Sequence, residues 1–462
     1  IDMKKVLLIL PVFLALLACE KELLQNPNSV KVADNFYSTE AEMEEAVNAA
    51  YAALQYTGVF NTAMPAIGEL PGEDAYDETP ANDGGVYGML DQYNVIAQSS
   101  LIANVWEDSY IGIQRANIVL ERIQSIAYED AQTRESRIGE MLFIRALHYF
   151  NLVRTFGPVP LVIEEVRNPQ DYFGQNRAPV AEVYSQIKAD LIEAITLLPA
   201  RTESNKARAV KTAAQALLGK VELTEGNYSA ARTQFLEVVN SGAHDLESLN
   251  QVFAADNELN PEIIFAVQFA SGINSNSEGS DAYRMFNPTG RVEGAMTGTK
   301  GHGVLKPDFY ALYESNDMRK GVYIDTLSSG IAYSKKIAVP TTVVGDAESD
   351  WVVLRYADVL LMLAEVENEL GNTPDAVDYL DEIRNRAGLA DYSGSTAKAD
   401  LFAEIDLQRR KELVWEGHRW FDLLRQGRAM SVLGISDANK LLMPLPASQI
   451  ATDPSLAQNP GY

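Results

Sequence analysis

One cysteine, four histidines and four tryptophans in 462 residues leave little material for several kinds of chemistry. The single thiol, Cys19, closes no disulfide within the chain, so the fold must rely on the size of its core. His148, His244, His302 and His418 are scattered and make no metal-ligand spacing. A phosphate-binding loop, a dinucleotide fingerprint and a G-x-S-x-G elbow are all missing, so no cofactor and no catalytic residue is indicated. Basic residues are scarce, 38 against 64 acidic ones, and the net charge of −26 repels nucleic acid and anionic lipid alike. Long apolar runs are also missing, apart from Val6 to Leu17, which is too short to span a bilayer.

That short run has a purpose legible from its flanks. Met3-Lys4-Lys5 supplies a positive start, and Ile1-Asp2 reads as an upstream extension. Leu16-Leu17-Ala18-Cys19 resembles a bacterial lipobox, so residues 1–18 are expected to be a lipoprotein signal peptide cleaved before Cys19. Lipid on Cys19, at about 0.8 kcal/mol per buried methylene, would make membrane attachment effectively permanent once several chains are present. Residues 19–33 then form a polar tether, and residues 34–462 a single domain.

Within that domain the dominant period is helical. Thr39 and Glu42 make a capping box ahead of the stripe Met43, Val47, Ala50 and Leu54. Further stripes run from Trp106 to Ile123, from Leu142 to Phe156 before Gly157-Pro158, and from Tyr184 to Leu198 before Pro199. Two segments share one spacing. Ala214, Leu217-Leu218, Gly226-Asn227, Ala231 and Phe235 are echoed by Leu360-Leu361, Ala364, Gly371-Asn372, Ala376 and Tyr379. They match tetratricopeptide units near 207–242 and 355–388, hairpins whose apolar faces only a neighbour can cover. The expected fold is therefore all-α: tetratricopeptide-like hairpins with long irregular excursions, about 57–105 and 255–350, and few short strands. Ile263 to Val267 is the clearest strand. An N-terminal helical part covers about 34–250 and a C-terminal part about 251–462.

The densest segment is Arg409 to Arg425. Leu413, Val414, Gly417, Trp420, Phe421 and Leu424 fall on one face of a helix, with Gly417 in the middle of that face admitting the close approach of another helix. Arg409, Glu412, Glu416, Arg419 and Asp422 form a ladder of alternating sign suited to ion pairs, which are expected to pin the proline-rich tail from Pro444 to Tyr462. Glu412 and Glu416 could serve as an acid–base pair, but with 64 carboxylates no pair stands out, and no histidine, metal set or nucleophile accompanies them.

These segments together resemble the SusD/RagB family of outer-membrane lipoproteins. The shared motifs are R-R-x-E-L-x-x-E-G-x-R-x-x-D-L at Arg409–Leu423, R-Y-A-D-V-L-L-M-x-A-E at Arg355–Glu365, R-A-L-x-Y-F-x-L-V-R-x-F-G-x-V-P-L at Arg145–Leu161, and the ending P-x-P … Q-N-P-G-Y. In this reading Arg409, Glu412, Glu416, Gly417, Arg419 and Asp422 are a structural signature. The resemblance implies a non-enzymatic, surface-exposed, lipid-anchored protein of the outer membrane. It would bind a nutrient, usually a glycan, and form the lid of a TonB-dependent SusC-like barrel, with no nucleic-acid partner. Rival readings are a lipid-anchored scaffold that binds only protein, and a glycan-degrading enzyme.

Glycan sites use flat aromatic faces. Trp106, Trp415 and Trp420 lie in helical or motif segments and Trp351 just before the Arg355 motif, so a platform on the excursions must be tyrosine or phenylalanine. Tyr76, Tyr87, Tyr93, Tyr283 and Phe286 are the expected contacts, with no metal assigned.

Overall fold

A computed structural model describes residues 36–275, 278–290, 298–337, 341 and 343–462. The signal segment 1–18, the lipidation position Cys19 and the tether 19–33 lie outside the described residues.

The frame is a stack of helices. α1 (Glu40–Ala52) begins at Thr39, where the capping box is present in full, and buries Met43, Ala46, Val47 and Ala50. α2 (Ala63–Glu69) is buried along its whole length. α3 (Ser100–Arg122) and α4 (Ala131–Phe156) follow; Asp130 caps α4 by accepting from the Gln132 and Thr133 amides, and Gly157 (φ +73°) ends it. After α5 (Val180–Leu197) come α6 (Lys211–Thr224) and α7 (Tyr228–Asn240), the first repeat hairpin. α8 (Tyr356–Leu370) and α9 (Thr373–Arg386) form the second, with left-handed Gly371 closing α8. Then come α10 (Lys398–Glu412), α11 (Arg419–Arg425) and α12 (Ala447–Thr452).

Neighbours in the stack are α1 on α3, α3 on α4, α4 on α5, α5 on α6, α6 on α7, α7 on α8, and α8 on both α9 and α10. The two repeat hairpins are far apart in sequence yet meet directly through α7 and α8. Arg232 of α7 reaches Glu367 of α8 at 2.6 Å. The second excursion is thus an insertion between stacked repeats. Among the described residues the main apolar core draws on residues from Met43 to Leu456, with a smaller cluster between α8, α9 and α10 and another around Ile263 and Val352.

The strands are short, as expected. β1 (Ala75–Tyr76), β3 (Val304–Leu305), β5 (Ala332–Ser334) and β4 (Ile324–Thr326) make a four-stranded sheet in that order, tying the two excursions together. β2 (Ile263–Val267), buried throughout, pairs antiparallel with β6 (Trp351–Arg355), which runs straight into α8.

The tail is held differently from the sequence expectation. Arg177 donates to the carbonyls of Phe156, Pro158 and Ala457 and to the Asn459 side chain at 2.6–3.0 Å. Asn459 donates in turn to the Phe156 and Met443 carbonyls. The guanidinium that clamps the tail therefore sits before α5. The ion pairs of the 409–425 segment reach other partners.

Candidate functional site

The 409–425 segment is two helices joined by a tight turn. α10 stops at Glu412, and Trp415 (φ +59°) and Gly417 (φ +79°) take left-handed conformations before α11 begins at Arg419. What breaks the helix is Glu69 at the end of α2. Its carboxylate accepts the amides of Glu416, Gly417 and His418 at 3.1, 2.8 and 3.3 Å; it shares the Glu416 amide with the Leu413 carbonyl and satisfies the two that follow. Burial pushes Glu69 up to about 8, opposed by those same amides.

Around this turn lies a buried ion network. Arg355 contacts Glu262 at 2.7 Å, Glu412 at 2.9 Å and Glu416 at 2.6 Å. Glu412 also meets Arg386 and Arg319, and Glu416 meets Lys336 at 2.5 Å. Arg409 bridges Asp358 and Asp422, Arg425 joins Asp422 to Glu365, and Arg419 links Glu73 to Asp406. Burial disfavours the charged form of Glu412 and Glu416, yet the surrounding guanidiniums hold both below the usual carboxylate range. Both carboxylates are enclosed and occupied by their ion pairs. This cluster organises the fold.

The excursions meet on a polar seam. His302 places Nδ1 3.0 Å from Asp77 and Nε2 2.9 Å from Asp83, and its ring stacks on Tyr87 at 4.4 Å. Lys300 pairs with Asp83 at 3.1 Å, and Thr79 donates to the Lys300 carbonyl at 2.6 Å. Glu78 accepts from the Thr289 amide and hydroxyl, both at 2.9 Å. The Asp77–Gly85 loop is thereby fastened to Thr289 and to the Thr299–His302 strip, which gives the excursion surface a fixed shape.

The five expected aromatic contacts divide on this surface. Tyr76, on β1, and Tyr93 are half-buried; Tyr93 donates its hydroxyl to the Pro71 carbonyl at 2.8 Å. Tyr87, Tyr283 and Phe286 are buried, and Phe286 stacks on Trp415 at 5.0 Å. Tyr87 packs inside the seam, between His302 and Phe286. Among the described residues, the exposed large aromatics are Tyr172 and Phe173, which sequence reasoning passed over. The signal for them was an adjacent aromatic pair on a short turn bounded by Pro169 and Gly174. No group of three or more His, Cys, Asp or Glu among the described residues could hold a metal ion. No helix among them is long and apolar enough to cross a membrane.

Residues 325–440 match the profile of the SusD family, and residues 29–223 match one described as starch-binding associating with outer membrane. The chain belongs to the SusD/RagB family. It is 27% identical to a SusD-like protein of Formosa agariphila, covering 96% of this chain and 97% of that one. A SusD-like protein of Bacteroides ovatus is 26% identical, over 91% of this chain and 82% of the relative. Among solved structures, a laminarin-binding SusD-like protein superposes with a TM-score of 0.81 at 27% identity, covering 92% of this chain and all (100%) of that one. Surface glycan-binding protein A of Bacteroides thetaiotaomicron, in complex with laminarihexaose, shares the fold at a TM-score of 0.80 and 21% identity, over 91% of this chain and 100% of that one.

Proposed function

We propose that this protein is a cell-surface, lipid-anchored glycan-binding protein that serves as the lid of a TonB-dependent SusC-like barrel, capturing oligosaccharide and handing it on without breaking a bond. The observation that carries the reading is the near full-length match, in sequence and fold, to a protein described as binding laminarin. The excursions support it: Tyr76 lies two residues before Glu78 in the loop that the seam fastens, with the Asp83–Lys300 pair further along, and Tyr93 is another half-buried ring on the same excursion, so apolar faces and groups that read hydroxyls are both present. Tyr87, Tyr283 and Phe286 would then shape the site from beneath. The enclosed, ionised Glu412 and Glu416 offer no acid–base pair, which favours binding over hydrolysis.

The test is calorimetry of the purified chain against a panel of oligosaccharides, with product analysis at several pH values. Tyr76→Ala with Tyr93→Ala should weaken binding of the accepted sugar about tenfold, the equivalent of about 1.4 kcal/mol. Absence of binding to every sugar, with retention of a barrel partner in pull-down, would support the protein-only scaffold instead. Release of shortened sugars would establish an enzyme.

A further inference from the structure

We infer that a second carbohydrate site lies away from the excursion seam, in a groove of about 680 Å³ bounded by α3, the turn 168–174 and the C-terminal helix α12, and that it takes an uncharged glycan segment. This rests on the reading that the chain binds glycan, and adds a place and a ligand class to it.

The walls are aromatic and preformed. On α3, Trp106 and Tyr110 lie with ring centroids 5.2 Å apart, and Ile111 one position further is 41% exposed. The Tyr110 hydroxyl donates to the Pro160 carbonyl at 2.7 Å, which fixes the ring. Also lining the groove are Tyr172 and Phe173, 37% and 42% exposed, in a chain whose four tryptophans are all buried. Two adjacent rings left in water cost hydrophobic free energy unless something covers them. Their turn is tied down, because the Gly174 amide donates to Asp453 at 2.8 Å and Arg177 clamps Ala457 and Asn459 close behind. A platform held in this way loses little entropy on binding.

The polar lining sets the ligand class. Gln449 donates to Glu107 at 3.0 Å on the exposed rim, leaving carboxylate lone pairs and an amide group for hydroxyls. Arg115 is the one cation among the described lining residues, and its guanidinium is engaged by the Ala49 carbonyl and the Tyr56 hydroxyl, both at 2.6 Å. Glu107 and Asp453, on a chain of net charge −26, repel uronates and sulfates. Ring faces against aromatics and hydroxyls against carboxylate and amide describe a neutral sugar chain.

The experiment compares the purified full chain with Tyr172→Ala/Phe173→Ala by calorimetry. The probes are neutral hexaoses (laminari-, malto-, xylo- and manno-) and oligogalacturonate. Expected are two binding events per chain for an accepted neutral sugar, one of them lost in the double variant. That variant should keep the wild-type melting temperature, and any change in tryptophan emission that accompanies the event should disappear with it. Ile111→Lys, on the exposed wall, should abolish the same event and guards against misfolding of the first variant. Oligogalacturonate should bind at least tenfold more weakly. Unchanged stoichiometry in both variants, or preference for the anionic probe, overturns the inference while the glycan-binding reading stands. Failure of the wild type to bind any sugar overturns both.

Discussion

Gly68 of α2 lies so close to Gly417 that a methyl group on Gly68 would overlap the Gly417 carbonyl and α-carbon. The two glycines are needed for different reasons. Gly68 is where two backbones meet. Gly417 has room, since a Cβ there would find its nearest neighbour, Trp351, at 3.6 Å, but its φ of +79° disfavours any side chain.

Gly68→Ala should accordingly be the more damaging change. The methyl would drive α2 from the turn and pull Glu69 away from the three amides it accepts, at a cost of about 1–3 kcal/mol or more. Gly417→Ala should lose about 1–2 kcal/mol, the penalty of a left-handed backbone alone. Urea denaturation of both variants decides the matter. If Gly417→Ala proved the more costly, the close approach would be carried by Gly417 after all.

Arg355 is the hub of the buried network, touching Glu262, Glu412 and Glu416 at once. Replacing it with methionine preserves volume and leaves three enclosed carboxylates short of a partner. Breaking a buried pair from one side costs about 3–5 kcal/mol. The loss should appear as an earlier denaturation midpoint, with any ligand affinity of the folded fraction unchanged. A variant of full stability but no glycan binding would place Arg355 in the site and contradict its structural assignment.

The helical frame was legible because its signals are local. Apolar spacing marked α1 and α3 to α9, the Thr39–Glu42 box marked the start of α1, and the run Ile263–Val267 marked β2. The break at Glu412 was not legible, since the agent is Glu69, a residue at the other end of the chain that supplies hydrogen-bond acceptors to the turn. Gly417 read as a point of close helix approach within a continuous helix, whereas its left-handed φ in a turn is what requires glycine there. The first excursion also carries more helix than its glycines and prolines suggested, with α2 buried inside it. Ring exposure was beyond local pattern altogether. Tyr87 and Phe286 read like any loop aromatic until His302 and Trp415 are placed beside them. Tyr172 and Phe173 read alike, yet face water.

His148, inside α4, offers a clean measure of how burial tunes the acid limb of stability. Neither of its ring nitrogens has a hydrogen-bond partner, and the ring packs against Gly112 of α3. Burial, with the Arg115 charge adding to it, lowers the imidazole from its ordinary 6.5 to about 3. The folded value is the lower one, so below pH 6.5 the unfolded chain takes up a proton that the folded chain refuses. The neutral ring's contribution is therefore complete above pH 6.5 and lost as pH falls towards 3, by about 1.4 kcal/mol per pH unit. His148→Leu replaces an unpaired polar ring with an apolar side chain and removes that titration. At pH 7 the variant should lie within about 1 kcal/mol of wild type, and at pH 5 it should be the more stable by about 2 kcal/mol beyond that difference. His418, held near 3 by burial and by the Lys220 charge, titrates equally in both proteins and cancels from the comparison. Denaturation curves at pH 7, 6, 5 and 4 supply the result. A stability difference that stays constant across them would mean that His148 takes up its proton in the folded state as readily as in the unfolded one, and the α3–α4 interface would have to open around it.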